Sequence, residues 1–163
     1  MLLKKRPGFM TTELMVVAIV LAILAGIASA AVPTFASRAK RAALASTLSV
    51  LQGVSDRYFV ETNLYPAADQ AVAGSKACQV NLAATDVSGH RLVGYYLHNE
   101  PNDKAVDYGL ATADGTVVYF GVTATGRVFA TQAQPVTDAW PTGTVRVYTQ
   151  ENVDGALTLA DIW

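Results

Sequence analysis

The chain has 163 residues, 15% charged and 52% hydrophobic, with a formal net charge of −1 and a mean hydropathy of +0.28. That length fits one domain plus an appended segment, and the near-neutral balance offers no broad basic surface for nucleic acid. Much of the apolar excess lies in the first 32 residues.

The chain opens on a basic head, Met1-Leu2-Leu3-Lys4-Lys5-Arg6-Pro7, followed by Gly8-Phe9. One carboxylate, Glu13, then stands at the front edge of an apolar run from Leu14 to Val32. Such a run is long enough to cross roughly 30 Å of hydrocarbon as a helix. An unpaired charge in a bilayer costs on the order of 3 kcal/mol or more, so an acid at that edge reads as functional. Orientation does not follow from charge alone, because Arg38, Lys40 and Arg41 after the run nearly balance Lys4, Lys5 and Arg6 before it.

At these residues the sequence resembles the type IV prepilin family: Gly8-Phe9, Glu13 four positions beyond Phe9, then an unbroken apolar helix. The resemblance implies that residues 1–8 are a leader removed by the membrane-embedded prepilin peptidase. Phe9 would then be the mature, N-methylated terminus, and Glu13, with Phe9, the docking site for a neighbouring subunit. It further implies a cytoplasmic leader, a head outside the membrane, and a pilus assembly platform and ATPase as partners. Removing the leader leaves nine basic against 13 acidic side chains, a net charge of −4. The physical logic stands beside the resemblance. Cutting before Phe9 makes an ammonium group roughly one helical turn from Glu13. In a bundle of parallel helices, one chain's acid and its neighbour's amine, each costly alone in an apolar medium, neutralise each other.

The same residues allow a different reading. A basic head, an apolar stretch and Ala28-Ser29-Ala30 form an ordinary secretory signal cut before Ala31. Against it, the acid directly precedes the apolar run, and the helical pattern continues past that cut.

Pro33 should loosen the helix by removing a backbone bond, and Gly26 is a second weak point. From Thr34 to Thr62 the chain reads helical again. Leu44, Leu48, Leu51, Ser55 and Tyr58, with Phe59 alongside, form a stripe that should cover a sheet. Ala42, Ala45 or Ser46, Ser49 and Gly53 lie on another face and allow close helix approach. The helix 9–62, with its filament core at 14–32, would be about 50 residues and roughly 75 Å long, a length normal for a filament stalk. Asn63 and Pro66 end it.

Residues 63–90 read as a connecting loop. From 91 to 163 the pattern predicts an antiparallel sheet of four or five strands: Arg91–His98, Val106–Thr112, Thr116–Thr123, Arg127–Gln132 and Thr144–Gln150. Asp114-Gly115 and Thr125-Gly126 supply turns. The fold class is α+β, pilin-like. Many pilins close a C-terminal loop with a disulfide, but Cys78 is the single cysteine and reads as a buried small hydrophobe. Ile162 and Trp163 are expected to clasp the C-terminus in its place.

No hydrolase, phosphate-loop or zinc pattern is present, and His90 and His98 have no cysteine or acid at ligand spacing, so the head is not read as an enzyme. Asp154-Gly155 and Asp161 look like the calcium-binding end of the major pseudopilins of type II secretion. With so few oxygens they read instead as a solvated acidic turn, and no cofactor is expected. The leading expectation is a pilin polymerising with itself into an extracellular filament for adhesion, motility or DNA uptake. Before assembly it would be a single-pass protein of the cytoplasmic membrane. Behind it stand a pseudopilin of a type II secretion system and a secreted binding domain starting at Ala31.

Overall fold

The computed structural model describes residues 11–67, 77–111, 115–135, 145–153, 155 and 157–162. Gly8, Phe9, Asp154 and Trp163 lie outside them, as do the side chains of Pro33 and Cys78. The chain divides into two compact units, Met1–Arg38 and Ala39–Trp163. One helix, α1 (Thr11–Thr62, 52 residues), contributes to both. It stays helical through Gly26 and Pro33, and a bend at either position is compatible with a continuous helix.

In the first unit every described side chain of α1 is exposed. Its large apolar side chains from Leu14 to Ile27 are exposed, the least of them, Val17 and Val20, at 49%. This stretch is long and apolar enough to cross a membrane.

In the second unit the expected stripe is the buried face: Leu44, Leu48, Leu51, Ser55 and Tyr58 are all at most 3% exposed. Ala42, Ser46, Ser49 and Gly53 on the other face are exposed. Asn63 adopts the left-handed conformation (φ 59°) and its N–H bonds to Phe59 O at 2.7 Å, closing the helix before buried Pro66.

The sheet is α+β in its broad plan, and smaller than the sequence suggested. Strands β1 (Ala77–Gln79), β2 (Tyr119–Thr123) and β3 (Val128–Thr131) form a three-stranded antiparallel sheet in that order. Strands β4 (Arg146–Val147) and β5 (Leu157–Thr158) form an antiparallel pair. A bridge between Ala130 and Tyr148, with reciprocal bonds of 2.9 and 2.8 Å, joins the two. The β2–β3 turn is the expected Thr125-Gly126, with Gly126 at φ 85°. β1 lies within the segment expected to be loop, and at three residues it is too short to mark itself by alternation.

Two expected strands are not strands. In Arg91–His98, Gly94 takes φ 107° and turns the chain back on itself, so Leu97 N–H bonds to Leu92 O at 2.9 Å across a wide turn. Leu92, Tyr96 and Leu97 are nonetheless buried, which accounts for the apolar pattern. Residues 104–110 coil through successive turns, with Gly109 at φ 66° and Leu110 N–H bonded to Ala105 O at 3.0 Å. The Asn102 side-chain oxygen accepts Lys104 N–H at 3.0 Å, a local bond that competes with a ladder.

One core lies between α1 and the sheet, where Val80, Leu92, Val118, Phe120, Val122, Val128 and Ala130 meet the α1 stripe. A second packs Phe129, Val147, Leu159 and Ile162, residues of β3, β4 and the 3-10 turn Leu159–Ile162. Val128 and Ala130 go to one core and Phe129 to the other, as strand alternation requires.

Candidate functional site

Two places carry functional potential: the exposed apolar helix of the first unit and a polar cluster at the end of α1 in the second.

Glu13 stands in the first described turn of α1. It is exposed, and the side chains that follow it, Leu14, Met15, Val16 and Val17, are apolar and exposed as well. A soluble protein rarely leaves a contiguous apolar surface of this extent open to water, so the stretch is built to be covered.

The polar cluster was not legible as a site. Asp86 is buried, its side chain 2% exposed, and four bonds converge on it. The backbone N–H groups of Ser88 and His90 each donate to Oδ1 at 2.8 Å. His90 Nδ1 donates to Oδ2 at 2.9 Å and the Tyr96 hydroxyl to the same oxygen at 2.7 Å. Burial pushes the Asp86 carboxyl up, yet the bonds from Tyr96, His90 and Ser88 outweigh it and hold the group well below the usual carboxylate range. The Tyr96 phenol also contacts Glu61 Oε2 on the last turn of α1. Burial, then its bonds to Glu61 and Asp86 and their charges, push that phenol up, so it stays a neutral donor. Tyr58 is pushed up by burial and by the Asp86 charge, and its hydroxyl donates to Thr85 O at 2.8 Å.

Around this centre the His90 ring stacks on Tyr95 at 4.1 Å, and the Arg57 guanidinium lies over the Tyr95 and Tyr96 rings at 5.3 and 5.2 Å. His90 therefore has an acid partner four positions back, which corrects the reading of it as lacking one. The signal was present in Asp86-Val87-Ser88-Gly89, an aspartate opening a tight turn ahead of a glycine. His98 is exposed. The cluster ties the 84–97 segment to α1, with no nucleophile beside the imidazole among the described hydrogen bonds.

The C-terminal region is held by other means than a disulfide. Arg41 donates to Val153 O at 2.5 Å and lies 5.8 Å from the Tyr148 ring centre. Ile162 is 1% exposed, in line with its expected role in the clasp. Asp161 spends its carboxylate within its own turn, accepting Thr158 N–H at 2.8 Å and the Thr158 hydroxyl at 2.7 Å, bonds that lower its proton affinity. Among the described residues no three His, Cys, Asp or Glu side chains converge as metal ligands.

No protein-family model, no curated protein and no solved structure matches the chain.

Proposed function

We propose that this chain is a type IV pilin-like subunit, held in the cytoplasmic membrane by α1 and polymerising into a filament through it. One observation carries the reading. An apolar helical surface with all its large side chains exposed begins immediately after a single carboxylate, Glu13. Such a surface is stabilised by lipid or by copies of itself, at about 25 cal/mol for each Å² withdrawn from water. The acid adds direction: it is tolerated in an apolar bundle once a neighbour's amine at Phe9 meets it, which fixes the axial register. The pairing of Gly8-Phe9 with Glu13 supports processing by a prepilin peptidase, and the small-residue face of α1 supports close packing of helices.

The test is direct. Filaments sheared from cells producing the chain are expected to contain it with an N-terminus at methylated Phe9. Glu13→Ala should leave the membrane level of the chain unchanged and lower filament abundance by about tenfold or more, the scale on which an unmet buried charge acts. An N-terminus at Ala31, or fibres at normal abundance from Glu13→Ala, overturns the reading. A Phe9 terminus without surface filaments favours the pseudopilin alternative.

A further inference from the structure

We draw no further inference here: the strongest candidate, the Asp86–His90–Tyr96–Glu61 side-chain cluster between the last turn of α1 and the 84–97 segment, belongs to the site already described, and among the described residues no metal-ligating group of three side chains points to a ligand for the exposed His90 imidazole.

Discussion

Asp86 has the most constrained side chain in the head. Its proton affinity is lower in the folded chain than in the unfolded one, because four donors stabilise the charged form against the opposing effect of burial. The unfolded state therefore binds the proton more tightly. The stabilisation is fully present above the ordinary carboxylate range and is lost as pH falls below about 4 toward the lower folded-state value. Asp161 shifts the same way. Asp86→Asn should lower the melting temperature near neutral pH and flatten its decline in acid, leaving the smaller slope due to Asp161. Thermal scans between about pH 3 and 7 check both parts, and an unchanged acid slope would mean that Asp86 is not the group responsible. Gly126 is the second residue with a sharp requirement. It sits at φ 85°, and a Cβ there would fall on the Tyr65 ring, which stacks on Phe59 at 4.5 Å. Gly126→Ala should cost about 1–3 kcal/mol, from left-handed strain and displacement of that ring, measured by denaturant unfolding.

Between elements, a few polar side chains of α1 fasten loops that have little apolar surface of their own. Gln52 donates to Gly126 O at 2.9 Å and accepts from Val128 N–H at 2.8 Å, so one amide fixes the β2–β3 turn to the helix. Gln52→Ala leaves both backbone groups unmet and should destabilise by about 1–3 kcal/mol, more than an exposed helix substitution. Lys40 does similar work on the 104–110 turns, donating to Val106 O at 2.9 Å, and Arg41 on the C-terminal segment. These contacts explain what the sequence reveals and what it hides. The α1 stripe from Leu44 to Tyr58 was legible because a 3.6-residue period repeated over four turns identifies one face. Tyr119–Thr123 and Val128–Thr131 were legible from β-branched and aromatic residues flanking a Thr-Gly turn. Arg91–His98 misled because Leu92, Tyr96 and Leu97 are buried as they would be in a strand, while a single glycine at φ 107° reverses the chain. The Asp86 cluster stayed hidden because its members come from α1 and the 84–97 segment, and partners 35 residues apart, Glu61 and Tyr96, leave no periodic trace. The apolar run after Glu13 was plain, since it depends on composition alone.

At the scale of the whole molecule the two units present different surfaces: large apolar side chains are exposed in the first and buried in the cores of the second. Among the described residues the first buried one is Leu44, and no described residue of either core precedes it. Lys40 and Arg41, which fasten the two loops, also belong to the second unit. Both described cores are built from residues of the second unit, while the described large apolar side chains of the first unit are exposed. Removing residues 1–38 should then separate solubility from folding. The fragment 39–163 is expected to stay in solution without detergent, elute as a single small species at low concentration, and unfold in one cooperative transition within a few degrees of the full chain's. The full chain should remain with membranes until detergent is added. Gel filtration and thermal unfolding measured by circular dichroism distinguish the outcomes. A fragment that aggregates or melts without cooperativity would mean that the helix before residue 39 supports the head, and that the exposed apolar face has a partner within its own chain.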